Sequence, residues 1–143
     1  MSTLKFKKVH LDARIDFPVH EGDVGYDVYA IEEVLIPRND NRNVPIGFAL
    51  EIPEGYYVSI ETRSGHGCKK NIRIHRGIVD QGYRGELSVR AYNHSSESNY
   101  LVAKGEKIAQ LVLHRIEVLP LEEVTELLES SRGEKGFGST DKK

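Results

Sequence analysis

The sequence predicts a single all-β domain, and three observations support this. Hydrophobic residues alternate with polar ones in several runs, turn residues separate these runs, and helical periodicity is scarce. With 143 residues, 38% hydrophobic and 29% charged, the chain is long enough for one globular domain with a buried core. Many short strands at this spacing are typical of a sandwich, jelly roll or barrel.

The predicted strands follow from apolar residues at every second position. The clearest run is Val44, Ile46, Phe48, Leu50 and Ile52, which predicts one strand with a buried face. Shorter runs comprise Val58, Ile60 and Thr62, then Leu87, Val89 and Ala91, then Ala109, Leu111 and Leu113. Val112 makes the last run apolar on both faces, which predicts a central strand.

Turns are predicted where proline, glycine and polar residues cluster. They lie at Pro53-Glu54-Gly55, at Pro37 to Arg42, at His94 to Asn99 and at Gly105. A short acidic stretch with Val124, Leu127 and Leu128 allows one small helix or an irregular edge.

Charge and cysteine content narrow the function classes. A formal net charge of -2 argues against a protein that binds duplex nucleic acid, which would be basic. The single cysteine, Cys68, excludes an intramolecular disulfide and a cysteine-based zinc site. No apolar run approaches the roughly 20 residues of a membrane span, and Met1 to His10 lacks a signal peptide's apolar stretch. We therefore expect a soluble intracellular protein of the cytoplasm or nucleus.

Five segments interrupt the strand pattern and carry chemically useful side chains. They are Gly25-Tyr26-Asp27, Arg63-Ser64-Gly65, Gly77 to Gly85, Gly105 to Gln110, and Arg132 to Thr140. A carboxylate beside a glycine, as at Asp27, can hold a hydrated cation or satisfy a local turn. An arginine fork, a serine hydroxyl and glycine N–H groups suit an anion, although a plain loop has the same composition.

The other three segments have structural alternatives as well. Glycines around Asp80 and Tyr83 predict a tight β-hairpin, either purely structural or part of a site. Gln110 lies mid-strand, where it is either buried with partners or solvated. Phe137 lies between glycines after Arg132 and before two hydroxyls, so this tail either closes over a planar ring and a phosphate or is disordered.

In this order and spacing the five segments resemble the five motifs of the trimeric dUTPase family, from about Gly22 to Thr140. The resemblance implies a jelly-roll-like β-barrel, the dUTPase-like β-clip, at residues 1–131 and a flexible C-terminal arm at 132–143. It implies a homotrimer with active sites shared between subunits, each closed by one subunit's arm. The implied reaction is hydrolysis of dUTP to dUMP and pyrophosphate by water attack on the α-phosphorus. That reaction limits uracil incorporation into DNA and supplies dUMP for thymidylate synthesis.

The resemblance also implies a role for each matching residue. Asp80 matches the general base, and Asp27 matches the carboxylate that holds Mg²⁺ through water. Tyr83 matches the tyrosine packed under deoxyribose, which excludes a 2′-hydroxyl. Phe137 matches the aromatic that stacks on uracil. The remaining substrate-binding matches are Arg63, Ser64, Gly65 and Gln110 for the phosphates, Gly77 and Ile78 for uracil, and Arg132, Gly138, Ser139 and Thr140 on the arm.

Several positions depart from the family pattern. His66 stands where an apolar residue is expected, and Gln81-Gly82 replaces an acidic pair. Lys135 and Asp141 stand where the arm usually has glycine. All six histidines are expected to be structural or surface residues.

Two alternative functions remain. One is a dCTP deaminase of the same superfamily, although Arg90 stands where those enzymes need a glutamate. The other is a non-enzymatic module that uses the same fold to bind a protein partner.

Overall fold

The structure is a computed structural model that describes residues 2–138, and it is mostly β. Within these residues there are twelve strands and one short helix. In chain order the elements are β1 (Lys5–Lys8), β2 (Ile15–Asp16), β3 (Gly25–Tyr29), β4 (Val34–Ile36), β5 (Asn41–Pro45), β6 (Phe48–Glu51), β7 (Tyr56–Glu61), α1 (Ser64–Lys69), β8 (Ile72–Ile74), β9 (Gly77–Val79), β10 (Ser88–Asn93), β11 (Tyr100–Val102) and β12 (Lys107–Arg115).

The strands form four antiparallel groups around one core. The largest sheet has the order β2-β3-β12-β7-β9, and a second has the order β5-β10-β8. Two pairs complete the fold, β1 with β6 and β11 with β4. Strand β12 lies between β3 and β7, which confirms the predicted central strand. Its Ala109 and Leu111 are fully buried.

The longest predicted strand is buried as expected, but it is not one strand. Val44, Ile46, Phe48, Leu50 and Ile52 are all at most 2% exposed. The chain turns at Gly47, which has φ +75°, so that β5 pairs with β10 while β6 pairs with β1. A Cβ at Gly47 would lie 3.0 Å from His10 Cβ and from Ile31 Cγ2. Glycine therefore lets one hydrophobic run serve two sheets.

Three local predictions differ from the structure. Helix α1 forms in the second motif, where a loop was expected, and residues 124–128 form no helix. The stretch from Gly77 to Gly85 is not a two-stranded hairpin, because β9 pairs with β7 rather than with β10. Only the turn is confirmed, with Tyr83 N donating to Asp80 O at 3.0 Å.

Within residues 2–138, no helix has the length and apolar character needed to cross a membrane.

Candidate functional site

A polar cavity brings together residues of the first, second and fourth motifs. Its volume is about 330 Å³. The lining residues are Val19, Asp23, Val24, Gly25, Asp27, Arg63, Ser64 and Gln110. These residues are far apart in sequence, so the cavity is a product of the sheet rather than of any one loop.

Strand register places the two central side chains of this cavity opposite each other. Asp27 on β3 pairs with Gln110 on β12, so both side chains lie on one face of the sheet. The Gln110 Nε2 donates to the carbonyl of Thr62, the residue before Arg63, at 3.1 Å. Gln110 is therefore half-buried and partnered, and it ties the fourth motif to the second.

Glycine at position 25 is required by this close packing. A Cβ there would lie 2.0 Å from Gln110 Oε1 and 3.0 Å from Gln110 Cδ. Because no side chain projects from Gly25, the Gln110 amide can occupy the cavity wall.

The Asp27 carboxylate lies between two cations. Arg63 Nε is 3.3 Å from Asp27 Oδ1, and Lys107 Nζ is 3.5 Å from Asp27 Oδ2. The Asp27 side chain is only 20% exposed, whereas those of Arg63 and Lys107 are 30% and 40% exposed. The cavity thus presents guanidinium, ammonium, hydroxyl and amide donors around one carboxylate, which suits a polyanion.

Lys107 is the functional residue that sequence reasoning missed. Strict alternation puts residues 107 and 110 on opposite faces of a strand. A register shift between Lys107 and Ala109 pairs Lys107 with Tyr29, two residues from Asp27 on β3. The irregularity brings the ammonium to the Asp27 face, and a periodic pattern cannot reveal such a shift.

The third motif lines a separate cavity of about 270 Å³. Its lining residues are Ile60, Ile78, Val79, Asp80, Tyr83, Glu86, Leu87 and Ser88. The Tyr83 ring lies against Gly85, where a Cβ would be 2.2 Å from the tyrosine hydroxyl oxygen. Asp80 and Tyr83 are both exposed, so they are available to a ligand.

Gln81, a departure from the family pattern, holds this turn in place. Its Oε1 accepts from Gly55 N at 3.3 Å, and its carbonyl accepts from Arg84 Nη1 at 2.6 Å. Glutamine therefore connects the Asp80 turn to the neighbouring turn at Pro53 to Gly55.

One chain does not bring the two cavities together. Val79 pairs with Val58, so Asp80 follows beside Tyr57 at one end of β7. Arg63 lies six residues further along the chain, about 20 Å away at the rise of an extended strand. Asp80 therefore cannot reach a phosphorus atom bound beside Arg63 of the same chain.

The fifth motif is exposed and contacts neither cavity wall. Phe137 is fully exposed, and Arg132 Nε donates to the carbonyl of Lys135 at 2.6 Å. Ser139, Thr140 and Asp141 lie outside the described residues. The preceding segment exposes a series of large apolar side chains: Ile116, Val118, Leu119, Leu121, Val124, Leu127 and Leu128.

Comparisons with known proteins agree on one family. The dUTPase family profile matches residues 12–141. A deoxyuridine 5'-triphosphate nucleotidohydrolase of Clostridioides difficile is 40% identical, over 98% of this chain and 99% of its own length. A protein of the same name from Paramecium bursaria Chlorella virus 1 is 39% identical over the same shares of the two chains.

Solved structures give the same answer. The dUTPase of Staphylococcus bacteriophage 80alpha, solved with dUpNHpp, matches with a TM-score of 0.90 and 31% identity. The match covers 98% of this chain and 99% of that one. The dUTPase from phage phi11 of S. aureus, whose structure is described in terms of a structural Mg(II) ion, matches with a TM-score of 0.80 and 27% identity, over 87% of this chain and 98% of that one.

Proposed function

This chain belongs to the dUTPase family, and from that membership we propose how its own residues bind dUTP and hydrolyse it. The protein is a dUTP diphosphatase, which converts dUTP to dUMP and pyrophosphate. The observation that carries the assignment of residues is the polar cavity, where three separate motifs meet around Asp27.

The polar cavity is the proposed triphosphate site. Arg63, Ser64 and Gln110 line it, Gly65 follows in α1, and Lys107 adds a second cation. Their donors are held by the sheet before substrate arrives, since Gln110 is bonded to Thr62 and Arg63 to Asp27. Donors positioned in advance stabilise charge that develops on phosphate oxygens without reorganisation during the reaction.

Magnesium fits this site when it arrives with the triphosphate. Within residues 2–138, no group of three metal-binding side chains is present, and Asp27 is already paired with Arg63 and Lys107. One carboxylate suits Mg²⁺, which keeps several waters and takes most of its other ligands from phosphates. We propose that Asp27 holds the ion through water, with Asp23 in the same cavity wall. When bound, the ion neutralises phosphate charge and polarises the α-phosphoryl group.

Asp80 is the proposed general base. It is exposed at the turn after β9, where it can accept a proton from the water that attacks the α-phosphorus. The water oxygen forms the new bond to phosphorus, and the bond from the α-phosphorus to the bridging oxygen breaks. Pyrophosphate leaves with that oxygen.

The cavity of the third motif is the proposed nucleoside site. Tyr83 lies flat against Gly85 and offers a surface for deoxyribose, with no space for a 2′-hydroxyl. Strand β9 is at the end of the five-stranded sheet, so main-chain groups on its outer edge, at Gly77 and Ile78, are available to read uracil. Phe137 then stacks on the base from the other side.

A homotrimer with shared sites is the proposed assembly. The roughly 20 Å between Asp80 and Arg63 supports a site built from two subunits. The exposed apolar segment from Ile116 to Leu128 supports contact with a neighbouring subunit, because such a surface is costly in water. The domain at residues 1–131 then carries the two cavities, and the arm at 132–143 brings Arg132, Phe137, Gly138, Ser139 and Thr140 to a neighbour's site.

In the cell, this reaction limits uracil incorporation into DNA and supplies dUMP for thymidylate synthesis. An intracellular, soluble enzyme is our proposal for its location, based on the nucleotide substrate and the single cysteine.

The test is pyrophosphate release from dUTP, UTP, dTTP and dCTP, each with and without Mg²⁺. We expect Mg²⁺-dependent turnover of dUTP alone. Turnover of UTP would contradict the role of Tyr83, and turnover without Mg²⁺ would contradict that of Asp27. Ammonia release from dCTP would support the deaminase, although Arg90 is exposed on β10 and away from both cavities. Binding of dUTP without turnover would support the non-enzymatic module.

A further inference from the structure

A buried histidine lies in the helix that carries the phosphate donors. His66 is only 3% exposed and belongs to α1, two residues after Ser64. Its Nε2 is 2.8 Å from Glu106 Oε2. The family pattern predicts an apolar residue at this position, so the polar side chain requires a physical reason.

Glu106 is the centre of a small buried network. Its Oε2 also accepts from the Tyr100 hydroxyl at 2.5 Å, and its Oε1 accepts from Ala103 N at 3.2 Å. Burial alone would raise the pKa of Glu106, but hydrogen bonds from Tyr100, His66 and Ala103 hold the pKa below its usual value. The group is therefore a carboxylate at neutral pH, and it anchors α1 from outside the helix.

The network connects three parts of the polar cavity. Arg63 and Ser64 are at the start of α1, and Lys107 directly follows Glu106. The carbonyl of Glu106 accepts from Ala30 N at 2.9 Å, beside the end of β3, the strand that carries Asp27. A fixed bond between His66 and Glu106 thus sets the position of α1 relative to β3 and β12.

Stability alone does not explain the histidine. Within the described residues, His66 Nδ1 is buried without a hydrogen-bond partner, which is unfavourable. An apolar side chain of similar size would avoid that cost. What histidine adds is a directional bond that selects one geometry.

We propose that His66 is a positioning residue for the triphosphate: through Glu106, it fixes α1 so that Arg63 and Ser64 face Lys107 and Gln110 at the correct separation. This role rests on the proposed phosphate site. His66 itself contacts no substrate atom in this scheme, so it acts only through the groups it holds.

The test compares a ligand with three phosphates and a ligand with one. The first is dUpNHpp, in which an NH group stands between the first and second phosphates, and the second is dUMP. In the full-length His66→Leu variant, the affinity for dUpNHpp is expected to fall about tenfold, the effect of one hydrogen bond to a charged group. Affinity for dUMP is expected to change by less than about twofold, because the nucleoside cavity is not affected.

Two further variants separate positioning from packing. Tyr100→Phe removes one hydroxyl of the network and keeps the ring, so it is expected to weaken dUpNHpp binding in the same direction. His66→Gln retains an N–H that can reach Glu106, and it is expected to recover most of the lost affinity. If His66→Leu does not fold, these two variants carry the test. Tyr92→Phe is the matched control, since Tyr92 lies between the His75 and His94 rings, away from the network.

Arg63→Ala distinguishes failure of this inference from failure of the proposed site. Unchanged dUpNHpp affinity in Arg63→Ala would overturn the phosphate site itself. If Arg63→Ala weakens binding while His66→Leu does not, or weakens both ligands equally, the positioning role is wrong. Loss confined to dUpNHpp, with recovery by His66→Gln, supports it.

Discussion

At the scale of single residues, the triphosphate site depends on close contacts between neighbouring strands. Asp27 pairs across the sheet with Gln110, and Gly25 leaves space for the Gln110 amide. Asp80 is different, because it lies on an exposed turn and owes its position to β9 and Gln81. Binding and chemistry are thus assigned to separate residues, and single substitutions can separate them.

Asp80→Asn is expected to retain dUTP binding and lose turnover. The amide keeps the shape of the side chain but cannot accept the proton of the attacking water, a loss of about 10²–10⁴-fold in rate. Pyrophosphate release measures turnover, and dUpNHpp affinity measures binding. Full activity in this variant would show that another group is the base.

Gly25→Ala is expected to weaken triphosphate binding while leaving the fold intact. The new Cβ would lie 2.0 Å from Gln110 Oε1, which is the end of a flexible side chain and can move away. That movement breaks the 3.1 Å bond to Thr62 and takes the amide out of the cavity wall. Measurements of dUpNHpp affinity and of the unfolding midpoint test both halves.

Gly82→Ala is the matched control for this substitution, because a Cβ there meets no atom within 4 Å. Equal loss of affinity in the two variants would contradict the role assigned to Gly25.

At the scale of elements, helix α1 and the turn at Gly47 show how tertiary contacts override local preference. The sequence of α1, SGHGCK, has two glycines in six residues, so this helix has little intrinsic stability. Its buried His66 and the bond to Glu106 hold it in place. At Gly47, a positive φ lets the longest hydrophobic run change sheets without leaving the core.

Gly47→Ala is expected to destabilise the protein by about 1–3 kcal/mol, because a Cβ is strained at φ +75° and meets His10 and Ile31. Chemical denaturation measures the change in the free energy of unfolding. Gly55→Ala is the control, since Gly55 has φ +87° but open space around its Cβ position. A loss no larger in Gly47→Ala than in Gly55→Ala would exclude the steric part of the argument.

At the scale of the whole molecule, one subunit holds the parts of a site but not a complete one. The two cavities are about 20 Å apart along β7, and Phe137 is exposed beyond both. Assembly with other copies is the proposal that unites them, and it can be tested without a structure of the complex.

Mixed trimers test the sharing of sites directly. Asp80→Asn and Arg63→Ala are each expected to be nearly inactive alone. When equal amounts are unfolded and refolded together, about a quarter of the sites receive a wild-type Asp80 from one subunit and a wild-type Arg63 from another. Recovered pyrophosphate release near that fraction supports shared sites, whereas no recovery indicates that both residues serve a site from one subunit.

Removal of residues 132–143 is expected to leave a folded trimer with little activity, because the arm completes the site. Circular dichroism and light scattering establish fold and assembly, and pyrophosphate release establishes activity. Normal turnover in the truncated protein would show that the tail has no part in the reaction.

The sequence by itself determined the mostly β architecture, the buried positions and the family. Alternation along Val44 to Ile52 and Ala109 to Leu113 identified the core, because a strand places every second residue on one face. The order and spacing of five motifs identified the family, although no single motif was specific.

Only the tertiary structure decided how those parts meet. The change of sheet at Gly47, the fold of α1, the pairing of β9 with β7 and the approach of Lys107 to Asp27 depend on contacts between segments distant in sequence. A periodic pattern describes which face of one strand is buried, but it carries no information about partners, register or irregularities. The triphosphate cavity consists of such contacts, so its residues could be named from the sequence while its geometry could not.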